Sequence, residues 1–223
     1  TLRLHRKLAI KMVSKSLYNL AGDLSFSVFR NKISDKFKEK VSLKAEALGE
    51  VGLLAIKKND QEPFRQFINL LLEQLKLSAG EGGFKTAAEL SNELKTLREE
   101  LVAIGAKKVV KQWLFPVERL VMSFGFHLAK LDIRNNSTYH EKAITQILTA
   151  AGAEHVDYTN WSEDKRLVFI NKELESKRPF LVAGTKCGIE ADNVLGYLGE
   201  VKNYIDNHGI EGVGSIIVSM TRS

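Results

Sequence analysis

The apolar residues of this chain keep two different rhythms, and the change between them falls near Pro116. Up to about Trp113 they recur at intervals of three and four, the spacing that builds one buried stripe on a helix. Pro63 suits a first helical turn, because its fixed φ and missing N–H cost nothing there, and Phe64, Phe67, Ile68, Leu71 and Leu75 then share a face. Thr86 and Glu89 have capping-box spacing ahead of Leu90, Leu94, Leu97 and Leu101, and Gly105 can end that helix. Loops are expected at Asn59-Asp60 and across Gly80 to Gly83.

Beyond Pro116 short strand-like runs alternate with capped helices, the pattern of a βαβ arrangement with a parallel sheet. Leu128 to Arg134 is the first run. Thr138 and Glu141 then read as a capping box, with Ala143, Ile144, Ile147, Leu148 and Ala151 on one face and Gly152 as the stop. Ser162 is placed to cap a second helix, Glu163 and Asp164 sit at the positive end of its dipole, Leu167, Ile170 and Leu174 form its stripe, and Pro179 closes it. A third helix is predicted from about Glu190 to Asp206, before Gly209. Gly214 then leads into Ser215 to Met220, which reads as a buried strand with neighbours on both sides. The expected fold is therefore α/β and helix-rich, with residues 1–113 as a helical region and 114–223 as a βαβ-type portion. Both ends read as cuts through a longer polypeptide.

Composition narrows the function classes. A length of 223 residues, 44% hydrophobic and 27% charged, fits one large domain or two small ones. The single Cys187 cannot form an internal disulfide, and no Cys/His set has zinc-ligand spacing, so a reducing, cytoplasmic setting is expected. No apolar run approaches the roughly 18 residues that mark a membrane helix, so no membrane partner is expected. The net charge of +6 sits in residues 1–60, which hold 13 Lys and Arg against 6 Asp and Glu. Lys36, Lys38, Lys40 and Lys44 there have the spacing of a solvated helix face, without interleaved aromatics to stack on bases, so no nucleic-acid partner is expected. The competing expectation is a non-enzymatic helical interaction or nucleic-acid-binding module, which steeply salt-dependent binding would reveal.

Arg134 carries the most chemical information, because it ends a strand-like run where parallel strands deliver side chains to ligands. Its guanidinium can grip a phosphate with two hydrogen bonds, or it can pair with Asp132 or Glu141; position alone leaves both open. Gly80, Gly82 and Gly83 ahead of Lys85-Thr86 have some features of a phosphate loop, but Phe84 breaks the core and no strand precedes it, so a helix connector is expected. His127 and His140 are too far apart in sequence for a helical metal pair, and His127 reads as a structural histidine within a strand. Arg222, just past the last strand, can reach the same face as Arg134 as a second substrate-binding residue, or it can be solvated at the cut end; position alone leaves both open.

The stretch Ser123 to Ile144 resembles phosphoenolpyruvate carboxylases in its Phe124-Gly125, its Leu131-Asp132-Ile133-Arg134, and its Ser137 with His140 three residues on. The likeness continues through Trp161-Ser162-Glu163, Lys177-Arg178-Pro179 and Ile217-Val218-Ser219-Met220. It implies part of a (β/α)8 barrel with additional packed helices, from a homotetrameric cytoplasmic lyase that acts on phosphoenolpyruvate and bicarbonate. It implies that Arg134 is a catalytic, substrate-binding cation. It further implies Mg2+ or Mn2+ in the whole enzyme, on carboxylates beyond Ser223, so no metal ligand is expected within this chain. Asn135 stands where the family often has glutamine, and Tyr139 where arginine is common. The family's Thr-x-His-Pro-Thr and Gly-Arg-Gly-Gly motifs do not occur here, so the chain alone is expected to be inactive. A degenerate relative lacking activity is the remaining alternative.

Overall fold

The computed structural model describes residues 1–182 and 184–221. They form two compact units, one of residues 1–131 with 204–213, the other of residues 132–203 with 214–221.

The first unit is built from packed helices. Helix α1 spans Leu2–Asp23, α2 Asp35–Ala47, α3 Gly49–Lys57, α4 Pro63–Gln74 and α5 Ala87–Ala103. The stripe after Pro63 is completely buried at Phe64, Phe67, Ile68 and Leu71, which lets α4 pack against α1, α2 and α3 at once. Phe37 meets the rings of Phe64 and Phe67 at 5.2 and 5.1 Å in tilted contacts, a geometry that aromatic quadrupoles favour. Leu90, Leu94, Leu97 and Leu101 are likewise fully buried, and Gly105 at φ 82° closes α5. Capping differs in detail from the sequence pattern. Glu89 reaches back to the Lys85 N–H and the Thr86 hydroxyl, whereas a complete reciprocal box forms at Ser78 and Glu81, on the short 3-10 turn Ala79–Glu81.

Helix continues through Pro116. A short turn α6, Lys107–Val109, widens into a π segment, Val110–Leu114, and passes into α7, Phe115–Phe124. The Phe115 N–H bonds to Val110 O, one residue further back than in an α-helix. Proline has no N–H to donate and its ring crowds the preceding turn, so local widening keeps the helix going where an α-turn would clash. The helix then packs on α1 and α5.

In the second unit the first strand, β1, is Leu131–Asn136, three residues later than the apolar run suggests. Leu128 has φ 62° and lies in a turn, as does His127, so the run's first half breaks away from extended geometry. Helix α8, Ser137–Ala150, is capped by the Asn136 side chain, which accepts from the Tyr139 N–H at 2.7 Å, and not by Thr138. Helix α9, Glu163–Glu175, is capped by Ser162 as expected. Helix α10 spans Ile189–His208 and strand β2 Val213–Ser219. Gln146 of α8 ties down the start of α10, accepting from the Ala191 N–H and donating to Glu190. Ala143, Ala191 and Val194 form the small core beside it.

The strands make a two-stranded parallel sheet. Bonds between the strands advance together in the parallel sense: the Leu131 N–H donates to Gly212 O, the Ser215 N–H to the Asp132 side chain, and the Ser219 hydroxyl to Asn135 O. Two sequence expectations fail here. Strand β2 is not buried, since Ile216 is 62% exposed and Ile217 and Val218 more than a third exposed. The stripe of α9 is open as well, with Leu167 and Leu174 exposed. Composition specifies a surface made to be covered; coverage itself depends on residues distant in sequence.

Candidate functional site

Alternation along β1 sets the site. Leu131, Ile133 and Asn135 are half-buried, while Asp132, Arg134 and Asn136 share the exposed face. The side chain two residues before Arg134 is therefore its natural neighbour, and Arg134 Nη2 lies 3.1 Å from Asp132 Oδ2. Glu141, the other carboxylate left open by the sequence, is engaged elsewhere, 2.7 Å from Arg166 Nη1.

Asp132 has a second partner. Its Oδ1 accepts from the Ser215 N–H of β2 at 3.0 Å. That backbone bond, followed by the bond from Arg134, holds the Asp132 carboxyl below the usual carboxylate range. An ionised Asp132 thus fixes one edge of the guanidinium while the Arg134 side chain remains 72% exposed. A planar group with five donors, anchored at one nitrogen, keeps donors in reach of a phosphate. The sequence offered Asp132 only as a competitor for Arg134. Its bond to Ser215 makes it an orienting group, and no local signal announces a bond across 83 positions.

The turn after β1 is also braced. Ser137 Oγ donates to Met220 O at 2.6 Å, joining the start of α8 to the residue after β2. Tyr139, where arginine is common in the family resemblance, accepts at its hydroxyl from Asn193 Nδ2 at 3.0 Å, while its ring packs beside Ala143 and Ala191. Asn135 Oδ1 accepts from the Asn136 N–H. His140 has a buried Nε2 without a hydrogen-bond partner. Arg222 lies outside the described residues.

The remaining sequence candidates have structural placements. His127 sits in the turn before β1, where burial pushes its pKa down, with Glu211 opposing and Lys130 adding to the fall. The glycine-rich stretch is a 3-10 turn between helices; Gly82 takes φ 89°, and a Cβ on Gly83 would lie 2.2 Å from Leu77 O. The lysines of α2 do not form one open face: Lys40 and Lys44 both pair with Glu93 of α5, at 2.8 and 3.1 Å. Among the described residues no three His, Cys, Asp or Glu side chains gather as a metal-binding cluster. No described helix is long and apolar enough to cross a membrane.

Comparison with known proteins supplies what geometry leaves open. The family model for phosphoenolpyruvate carboxylase matches residues 1–223. A phosphoenolpyruvate carboxylase of Roseiflexus castenholzii is 27% identical over 236 residues, covering 99% of this chain and 25% of that protein. One from Mycobacterium avium is 30% identical over 183 residues, covering 76% of this chain and 20% of that protein. One from Rhodopseudomonas palustris is 26% identical over 235 residues, covering 100% of this chain and 24% of that protein. The chain spans about a quarter or less of the length of these relatives. With a family match along every residue and the Leu-Asp-Ile-Arg strand in place, the chain belongs to the phosphoenolpyruvate carboxylase family.

Proposed function

We propose that this chain is part of an enzyme that converts phosphoenolpyruvate and bicarbonate to oxaloacetate and phosphate, and that Arg134 is the cation it contributes to the active site. The observation that carries the reading is an exposed arginine at the end of a parallel strand, steadied on one side by an ionised carboxylate.

The chemistry needs such a cation. A bicarbonate oxygen attacks phosphorus, the bond from phosphorus to the enol oxygen breaks, and carboxyphosphate and the enolate of pyruvate result. Carboxyphosphate then releases carbon dioxide and phosphate, and the enolate carbon bonds to carbon dioxide to give oxaloacetate. Negative charge stays on the moving phosphoryl group throughout, and a guanidinium held in place stabilises it without reorganising at the moment of reaction. Asp132 acts through Arg134 as a positioning residue. A divalent metal, Mg2+ or Mn2+, would supply further charge neutralisation in the whole enzyme on ligands outside this chain.

Residues 114–223 are proposed to contribute to a (β/α)8 catalytic barrel and residues 1–113 to the helical layer around it, within a cytoplasmic homotetramer. Arg222 is a proposed second substrate contact. The chain alone lacks the family's His-Pro and Gly-Arg-Gly-Gly motifs and is expected to be inactive.

The test is oxaloacetate formation by the full-length enzyme. Arg134→Gln is expected to lower kcat by about 10²- to 10³-fold or more, the scale for losing one fixed charge-stabilising donor. Asp132→Asn is expected to lower it roughly tenfold, with partial rescue by Asp132→Glu. Full activity in a folded Arg134→Gln variant would remove the role assigned to that residue.

A further inference from the structure

The second unit contains a groove of about 820 Å³ built by the loop after α8, Trp161, one face of α9 and Arg178. Its volume lies within the range of small-ligand pockets. Asp164, Lys165, Val168, Phe169 and Lys172 line it at helical spacing, so a single side of α9 forms its long wall.

Two chemistries are separated along that wall. Trp161 and Phe169 make the apolar part, and both rings are held in place. Trp161 touches Tyr158 and Phe169 at centroid distances of 5.3 Å, and Phe169 meets Phe180 edge-on at 6.2 Å. Lys165 Nζ lies 4.4 Å from the centre of the indole, close enough for a cation–π contact. Lys172 stands seven residues on, about 10 Å further along the helix axis, and Arg178, beyond the helix end, lines the same groove. Asp164 lies in the first turn of α9, away from Lys172 in the last, and Glu154 and His155 of the loop after α8 also line the groove. None of Lys165, Lys172 and Arg178 is ion-paired among the described residues, in contrast to Arg166 of the same helix, which is committed to Glu141 and to Thr159 O.

We infer that this groove is a binding site for a phosphate ester carrying a flat ring, of nucleotide size, its ring against Trp161 and Phe169 and its phosphate between Lys172 and Arg178. Aromatic walls recognise a planar group through its faces and edges, and two unpaired cations at one end supply the charge-assisted bonds a phosphate demands. The site is separate from Arg134 and does not depend on the proposed role of that residue.

Calorimetric titration of the full-length enzyme with AMP, adenosine and ribose 5-phosphate tests it. AMP is expected to bind with a stoichiometry of one per chain, with adenosine and ribose 5-phosphate each at least tenfold weaker, since each lacks one half of the recognised pair. The double variant Lys172→Gln, Arg178→Gln is expected to weaken AMP binding at least tenfold, and Lys172→Arg to retain it. Both positions are exposed, so the fold should survive, which circular dichroism checks. No heat from AMP, equal affinity for AMP and ribose 5-phosphate, or undiminished binding in the folded double variant would each overturn the assignment.

Discussion

The helical unit and the unit carrying the sheet draw on similar apolar residues and use them differently. In the first, α4 and α5 close on their neighbours until Phe64, Phe67, Leu90 and Leu97 have no solvent contact. In the second, the contiguous core is Ala143, Ala191 and Val194, while Ile216, Val218, Leu167 and Leu174 remain open. A helix stripe is about as wide as the neighbour that covers it, so a few helices can satisfy one another. A strand of the Ser-Ile-Ile-Val kind presents apolar groups on both faces and needs a layer on each. The second unit's residues 132–203 and 214–221 leave those faces bare, so its stability depends far more on what else is brought against it.

The largest expected effect is in the helical core. Phe67→Ala should cost about 3–5 kcal/mol, read by denaturant unfolding, whereas Val194→Ala, in the small core, should cost roughly 1 kcal/mol. Equal losses would break the contrast. Next comes the half-buried cluster of Lys40, Lys44 and Glu93 in the helical unit. Burial pushes the Glu93 pKa up, but the bonds from Lys40 and Lys44 outweigh it and hold the group below the usual range. Glu93→Gln should cost roughly 1–2 kcal/mol, with salt reducing the loss.

Acid should also act on the helical unit. The pKa of His208 is lowered by burial and by nearby Arg6, Arg3 and Lys85, and that of His127 by burial. A histidine with a depressed folded pKa binds more protons when unfolded, so its contribution is complete above the ordinary value of 6.5 and is lost as pH falls below it towards the folded pKa. Amide protection factors around α1 and the end of α10, which remove the intrinsic pH dependence of exchange, should therefore fall between pH 7 and pH 5. Unchanged protection factors would argue against the burial of these rings. The smallest effect belongs to the open strand: Ile216→Thr with Val218→Thr should change the stability of this chain by less than about 0.5 kcal/mol, read by the same denaturant unfolding.

What could be read from sequence follows the range of the forces. The stripes after Pro63 and Thr86, the Gly105 stop and the Ser162 cap depend on residues within a turn or two, and all take their expected places. β1 starts later than its apolar run because Leu128 is apolar yet adopts positive φ. The α8 cap falls on Asn136 and not Thr138 because Asn136 competes for the same donors, and Ser137 is drawn away to Met220. Arg134 could be placed by alternation along its strand. The Ser215 bond that steadies its partner could not, since it exists only once two distant strands have paired.

That bond has an implication for how such an enzyme guards against its own errors. Asp132 reads a single amide on the adjoining strand, so if β2 were to slip by one position the carboxylate would lose its anchor and the guanidinium its bearing. On the proposed role of Arg134, a misassembled sheet would be a silent one. Correct alignment of the scaffold and competence at the strand end become a single condition, tested each time the protein folds.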